Sequence, residues 1–280
     1  MSTLSYISVS TTGEDGKDPT FIYLSPSFGE VIGHNENELV DKKITLAFPN
    51  KAAWYTSLQC LSDLQAFGTI LYNNIRTAKG DILLQTIFFC CEDLHFCVSR
   101  KLTESDFEDD LLIESTCMAE TVIWVDHEDI YIWGPEGITK IKGNVYHTIA
   151  ATIPPYPPKQ PRVGFILDHF SDYCHIIYCV GDTDKTLGIR AKTLLGTSFY
   201  SYVEKSELDL VEEEVRTIKT GKFHSLVSQI EFTFLSPLGE LNMKAGICYS
   251  SDGIVVVLML LDEYDFFLDK VIDPDQILLH

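Results

Sequence analysis

Two stretches of this chain show the same order of short apolar segments. In residues 1–103, two short strand-like segments precede several short helical segments, and three strands joined by tight turns follow. Residues 161–262 repeat this order with similar lengths. Consecutive strands with tight turns predict an antiparallel sheet, and the clustered helices predict that they cover one face of it. The repeat therefore predicts two copies of one α+β domain.

Strands and helices are predicted from the period of the apolar residues. The predicted strands of the first copy are Ser5–Thr12, Phe21–Ser25, Thr69–Thr77, Ile82–Cys91 and Leu94–Val98. Those of the second copy are Val163–Phe170, Cys174–Val180, Leu226–Leu235, Glu240–Tyr249 and Ile254–Leu261. Apolar residues at helical spacing predict one long helix in each copy, over Ala52–Phe67 and Ser201–Thr220.

Two further segments differ in composition from the repeats. Residues 104–160 begin with the mixed acidic and apolar run ESDFEDDLLIEST and end with the proline-rich run IPPYPPKQP. The first run is typical of a solvated linker or of a segment that folds on a partner, and the second favours an extended spacer. Between them, ETVIWVDHEDIYIWG predicts a hairpin around Asp126–Asp129 with no assigned neighbour. Residues 263–280 are expected to form an acidic C-terminal tail.

Charge and hydropathy limit the partners and the compartment. The formal net charge is -20, and no lysine or arginine cluster occurs, so direct binding to nucleic acid or to an anionic membrane is not expected. No apolar run is long enough to span a bilayer, and the N-terminus lacks the features of a secretory signal. The eight cysteines are therefore expected to be reduced and mostly buried, in a cytoplasmic or nuclear protein.

Residues 21–44, FIYLSPSFGEVIGHNENELVDKKI, resemble the opening of a PAS domain, with Asp41 where the family has glycine. Residues 175–223 resemble the second PAS module of animal transcription regulators. Glu207 stands there in place of an aspartate. The residues that match that second pattern are Gly188, Leu194, Leu195, Gly196, Ser198 and Tyr200.

The resemblance implies, for each module, a five-stranded antiparallel sheet with short helices on one face. PAS modules sense ligands or light, or pair with other PAS modules through the outer sheet face, and usually transmit to an effector domain. The sequence shows no kinase signature, zinc-finger cysteine pairing or basic helix before the first module, so no effector domain is expected.

Cofactor chemistry and catalysis lack their usual residues. The stretches Lys43–Ala52 and Gly196–Lys205, which match the reactive segment of light-sensing relatives, contain no cysteine, and this disfavours photoreactive flavin. The predicted long helices contain no histidine, and this disfavours haem. No nucleophile elbow or glycine-rich phosphate loop occurs. We therefore expect a protein that is not an enzyme and has no cofactor or metal.

The leading hypothesis is a signalling protein whose modules bind a protein partner, either another PAS protein or a second copy of this chain. The expected interface is the sheet face of the second module, at Val255, Val256, Val257, Leu258 and Met259. Introduction of a charge at an outward position there, such as Val257→Glu or Val256→Glu, is expected to abolish pairing and leave the fold intact.

Two alternatives stay open. The chain could be a sensor of a small apolar ligand, held within the second module by Phe199, Tyr200, Ile230, Phe232 and Met243. It could also be a transcriptional co-regulator without its own DNA-binding domain, in which the acidic segment Thr103–Thr116 recruits a partner.

Overall fold

In a computed structural model of the 280-residue chain, the structure is described for residues 4–12, 18–43, 67–77, 80–103, 121–126, 129–134, 137–142, 160–220 and 227–261. Two separate sheets lie within these ranges. The predicted helix Ala52–Phe67 falls outside them except for Phe67, which begins a strand, and so do most of the acidic segment and the C-terminal tail.

The first sheet contains all five strands predicted in the first repeat. They are β1 (Ser5–Thr11), β2 (Phe21–Leu24), β3 (Phe67–Thr77), β4 (Gly80–Cys91) and β5 (Leu94–Lys101). Their spatial order is β2-β1-β5-β4-β3, with every neighbouring pair antiparallel. Helices α1 (Ser27–Ile32) and α2 (Glu36–Leu39) follow β2. The Tyr6 ring lies 5.0 Å from the Phe28 ring of α1, so α1 covers the face that contains Tyr6, which we call the inner face.

Three more strands extend this sheet beyond β3. They are β6 (Thr121–Asp126), β7 (Asp129–Gly134) and β8 (Gly137–Lys142). Asp126 pairs with Asp129, so the hairpin predicted at this position is confirmed. Its neighbour, which the sequence did not identify, is β3, and β3 and β6 run parallel. The sheet that contains the first module therefore has eight strands.

The second sheet has the same strand order as the five core strands of the first. Its strands are β9 (Arg162–Leu167), β10 (Ile176–Val180), β11 (Ser228–Ser236), β12 (Gly239–Ser250) and β13 (Gly253–Leu260). They are arranged β10-β9-β13-β12-β11, again entirely antiparallel. The predicted fold class, α+β with a five-stranded antiparallel sheet and short helices in each module, is confirmed.

Helices cover one face of the second sheet. Helix α3 (Thr183–Leu187) is capped by Asp182, whose carboxylate accepts from Lys185 N–H at 3.0 Å, and α4 (Ala191–Leu194) follows it. The predicted long helix is wrong at its start, since α5 spans Leu208–Thr220. Val203, which the sequence placed within the helix, is not helical because it forms a β-bridge with Phe234 of β11. The apolar stripe of α5 is buried in the module core, as its spacing predicts; its buried residues are Val211, Val215 and Ile218.

The backbone conformation of Asp41 shows why aspartate is tolerated where the PAS pattern has glycine. Asp41 adopts a left-handed backbone conformation with φ 61°. Gly196, which follows the leucine pair of the second module, is also left-handed, at φ 80°. Glycine adopts this conformation freely, and aspartate is among the few other residues that tolerate it. Asp41 therefore adopts the same left-handed conformation in the first module as Gly196 does in the second.

No helix within the described ranges combines the length and hydropathy needed to cross a membrane.

Candidate interaction site between the two sheets

The outer faces of the two sheets pack against each other. Here the outer face is the one opposite the helices. The contact is an apolar cluster whose members are all buried. The first module contributes Ile7, Val9, Phe67, Ile87, Phe89, Cys91, Phe96 and Val98; the second contributes Ile166, Val180, Val227, Cys248, Val255, Val257 and Met259. Two apolar sheet faces in contact form a sandwich core, so the modules are held together by the hydrophobic effect.

Two glycines shape the surface that the second module offers to the first. Gly164 of β9 and Gly246 of β12 both lie directly opposite Val257 of β13, so the three residues form one row across the sheet. A Cβ atom at Gly164 would lie 2.4 Å from Phe96 Cδ1, and one at Gly246 would lie 2.8 Å from Phe89 Cε1. The glycines therefore create two shallow sockets that receive phenylalanine rings of the first module.

At one side of this contact, two cations lie close to the Phe67 ring and a glutamine amide binds the Phe67 backbone. The Phe67 ring lies 5.5 Å from the Arg162 guanidinium carbon and 5.4 Å from Lys244 Nζ. Gln229 Nε2 donates to the Phe67 carbonyl at 3.1 Å, and Arg162 Nη1 donates to the Cys90 carbonyl at 3.5 Å. Both hydrogen bonds cross from the second module to the first. They fix the register of the two sheets, because backbone acceptors occupy set positions along a strand.

The turn between β12 and β13 binds the first module through polar groups. We call Ser250, Ser251 and Asp252 the hairpin clasp. Ser5 N–H donates to Ser251 Oγ at 3.0 Å, and Ser251 N–H donates to Ser5 Oγ at 3.1 Å. Ser250 Oγ donates to the Ser5 carbonyl at 3.2 Å. The clasp therefore ties the tip of the second module to the start of β1.

Asp252 also caps a helix of the other module. Its carboxylate accepts from Ser27 N–H at 3.0 Å, from Ser27 Oγ at 2.8 Å, and from Ser25 Oγ. Helix α1 begins at Ser27 and has no side-chain cap of its own. An unpaired N–H at a helix start needs an acceptor, and a carboxylate is among the best. The first helix of the first module is therefore capped by the second module.

Replacing Asp252 with alanine is expected to lower the free energy of unfolding by about 1.5–3 kcal/mol, because hydrogen bonds to a charged acceptor contribute about that much. Chemical denaturation with fluorescence detection measures this loss. Asp184→Ala is the matched control, since Asp184 is largely exposed and loses the same charge. Equal unfolding midpoints for the two variants would show that the cap contributes nothing.

The structure places the expected interface residues on two opposite faces. Val255, Val257 and Met259 belong to the cluster between the modules, whereas Val256 and Leu258 lie in the core of the second module. All eight residues of β13 are buried, so this strand is covered on both faces, as its apolar residues on both sides indicate. Binding of a separate protein here stays a prediction, and it would require the first module to move away.

The expected ligand residues of the second module lie in or beside its core. Phe199, Phe232 and Met243 are buried, and Tyr200 and Ile230 are partly buried against them. The Phe199 and Phe232 rings meet edge to face at 6.0 Å. Of the five, Tyr200 lines a described cavity, an open groove of about 790 Å³ beside α5. These five residues therefore lie together mainly because they pack in or beside the core of the second module.

Cysteines contribute to the same buried regions. The six described cysteines are free thiols. Burial raises the pKa of Cys91 and of Cys248, so both thiols stay protonated at neutral pH within the cluster between the modules. They pack there as small apolar residues, in line with the sequence expectation.

Comparisons with known proteins give structural similarities alone. No family model and no curated protein sequence matches the chain. The PAS domain of the Cronobacter turicensis RpfR quorum-sensing receptor, in complex with BDSF, is similar at TM-score 0.32 and 11% identity, covering 36% of this chain and 94% of that one. A light-oxygen-voltage domain studied with a flavin analogue is similar at TM-score 0.31 and 15% identity, covering 39% and 86%.

The photosensory core module of a Stigmatella aurantiaca phytochrome is similar at TM-score 0.31 and 12% identity, covering 38% of this chain and 20% of that one. Each of these alignments covers a little over a third of the chain. The α+β arrangement of the two modules is shown by their own strand order and helices.

Proposed function

We propose that this chain is a non-enzymatic signalling protein in which two PAS-like modules are paired within one polypeptide. The observation that carries the proposal is the packing of Phe96 and Phe89 into the sockets at Gly164 and Gly246. Large rings in closely fitting pockets at the centre of a contact are typical of specific association. The outer sheet face that was expected to pair with a second PAS protein is covered instead by the other module of the same chain.

Pairing within the chain gives the protein a way to transmit a local change. The sheets share one apolar core, and the hairpin clasp caps α1 of the neighbouring module. A ligand or partner that moves α1 would change the hydrogen bonds of the clasp, and packed cores respond to such shifts as units. Signal transfer therefore runs through contacts that are already formed.

The proposal predicts a monomer of 31.6 kDa in sedimentation velocity at micromolar concentration. The outer face of β13 already has a partner in the same chain and is unavailable to a second copy. A dimer that persists on dilution, and that Val257→Glu converts to a monomer, would show that this face pairs between chains and would overturn the proposal.

We propose a location in the cytoplasm or nucleus, with protein partners that bind surfaces other than the paired faces. Flavin, haem and enzymatic activity are not part of the proposal, for the sequence reasons given above. The co-regulator hypothesis depends on Thr103–Thr116, which lies outside the described residues apart from Thr103. A reporter fusion of this segment that stays silent would remove that hypothesis.

A further inference from the structure

The strand register of the two sheets matches position by position, so residues of one outer face have equivalents on the other. Hairpins β4–β5 and β12–β13 both turn through two residues, and Phe89 pairs with Phe96 just as Cys248 pairs with Val255. Phe89 is therefore equivalent to Cys248, and Phe96 to Val255. The same counting gives three further equivalent pairs: Ile7 and Gly164, Ile87 and Gly246, and Phe67 and Val227.

The two modules are related by an approximate two-fold axis. Tyr23 and Tyr178 occupy equivalent positions on β2 and β10. Their rings stack on each other, with centroids 4.8 Å apart. When two equivalent residues contact each other, the symmetry axis passes between them, as in the isologous interface of a dimer.

The two ends of the contact follow the same symmetry. Ser5 at the start of β1 binds the hairpin clasp, and its equivalent at the start of β9, Arg162, donates to the Cys90 carbonyl beside the other hairpin turn. The clasp caps the start of α1, and Glu92 of the other turn interacts with the backbone N–H of Asp182 at the start of α3. The pair inside the chain is therefore arranged like a homodimer, with one module in the place of each subunit.

Side-chain size differs within each of the five equivalent pairs. The first module has phenylalanine where the second has valine or cysteine, and isoleucine where the second has glycine. The side chains of all the members that are not glycine belong to the apolar cluster between the modules. The two faces that meet are therefore symmetric in backbone position and different in shape.

Large side chains of the first module meet small residues of the second. Phe96 lies over Gly164, and both Phe89 and Phe67 lie over Gly246. By the two-fold axis, the valine and cysteine side chains of the second module lie over the isoleucines of the first. Each of these contacts therefore combines a larger residue with a smaller one.

Pairing of like modules would lose this match. Two first modules would place phenylalanine against isoleucine at both symmetry-related contacts, and an overpacked contact is destabilising. Two second modules would place valine or cysteine against glycine, which leaves cavities and loses dispersion contacts. Specific interfaces commonly combine a good fit to the right partner with a poor fit to the wrong one.

We propose that these five equivalent pairs determine which modules pair, directing the first module to the second and away from a second copy of itself. The inference rests on the proposed pairing within the chain and adds the residues that make it selective. A partner surface that fits the first module has glycine at the two positions that face Phe96 and Phe89.

The socket-filled variant, Gly164→Ile with Gly246→Ile, tests the proposal by giving the second module the isoleucines of the first. Phe96 can then no longer pack on the second module of its own chain. Two such second modules fit each other, because Val255 and Cys248 would meet isoleucine as they do across the wild-type axis. We expect sedimentation velocity to show twice the wild-type mass of 31.6 kDa.

The matched variant adds Phe67→Val, Phe89→Cys and Phe96→Val to the socket-filled variant, so that both modules carry the same five residues. The pair inside the chain then fits again, and it prevails over pairing between chains because linked modules meet at a high effective concentration. We expect this variant to sediment as a monomer. Since it contains both glycine changes, a folded matched variant also shows that isoleucine is compatible with the fold at these positions.

A third variant checks that the new dimer uses the same face. Val257 lies between the two sockets, so Val257→Glu added to the socket-filled variant should abolish the dimer. A socket-filled variant that stays monomeric with its β5 and β9 amides protected from hydrogen exchange would overturn the proposal. A matched variant that does not return to a folded monomer would also overturn it. These outcomes are separate from a wild-type dimer, which would overturn the proposed function instead.

Discussion

Glutamate at Val257 is expected to separate the two modules, whereas glutamate at the adjacent Val256 is expected to unfold the second module. Both side chains are fully buried, but they face opposite sides of β13. A buried carboxylate without a partner costs several kcal/mol. At Val257 the chain can relieve that cost by opening the contact between the sheets. At Val256 the carboxylate reaches water only if the core itself opens.

Hydrogen exchange distinguishes the two outcomes. For Val257→Glu, amides of β4, β5, β9 and β13 should exchange faster, while a cooperative thermal transition of the second module persists. Val256→Glu should lose that transition, because a domain is stabilised by only about 5–15 kcal/mol in total. Ile177→Glu is the control, since Ile177 is 49% exposed and the same charge there should change stability by no more than about 0.5 kcal/mol. Identical behaviour of the Val256 and Val257 variants would show that the sheets are not paired.

The strands of both modules could be predicted from the sequence because each lies between clear turn signals. The β4 and β12 strands, for example, each begin at a glycine that ends a turn. Strand β8 was missed because GITKIK is short and its lysines alternate with apolar residues as in any exposed segment. The neighbour of β6 is set by a parallel contact with β3, which no local pattern encodes.

The paired faces were only partly predictable. Strand β13, GIVVVLML, is apolar at every position after its glycine, and this correctly indicates a strand that is covered on both sides. Because every position is apolar, the sequence does not show which residues of β13 face the helices and which face the other module. The sequence signal for this contact was the pair of strand glycines, Gly164 and Gly246, and the sequence analysis did not use it. A glycine inside a strand often marks the close approach of another part of the chain.

The burial of Asn73 on the inner face could not have been predicted from the sequence. Asn73 lies in the run TILYNNIRT beside a second asparagine, and nothing local distinguishes the buried one from the exposed one. The distinction comes from strand register, which places Asn73 opposite Leu84 on the inner face. The sequence pattern predicted that apolar residues of the second module line a ligand cavity. In the structure, these side chains pack in or beside the core of that module and fill the space.

Gly164→Ala is expected to destabilise the protein by about 1–3 kcal/mol, the usual cost of overpacking a core. The added methyl group would lie 2.4 Å from Phe96 Cδ1 and 2.6 Å from Phe96 Cε1, so the ring must shift. Without that contact, the same change in a strand would be favourable by roughly 0.5–1 kcal/mol, because alanine loses less backbone entropy than glycine. Equilibrium denaturation measures the sign directly.

A double-mutant cycle with Phe96 tests whether the socket causes the effect. Phe96→Ala alone should cost about 3–5 kcal/mol, since it leaves a cavity between the sheets. Adding Gly164→Ala should then cost nothing or recover stability, because the methyl group enters space that the ring has left. Phe234→Ala, in the core of the second module, is the control and should combine additively with Gly164→Ala to within about 0.5 kcal/mol. If Gly164→Ala costs the same with and without the Phe96 ring, the ring does not occupy the glycine socket, and the pairing of the modules loses its main structural support.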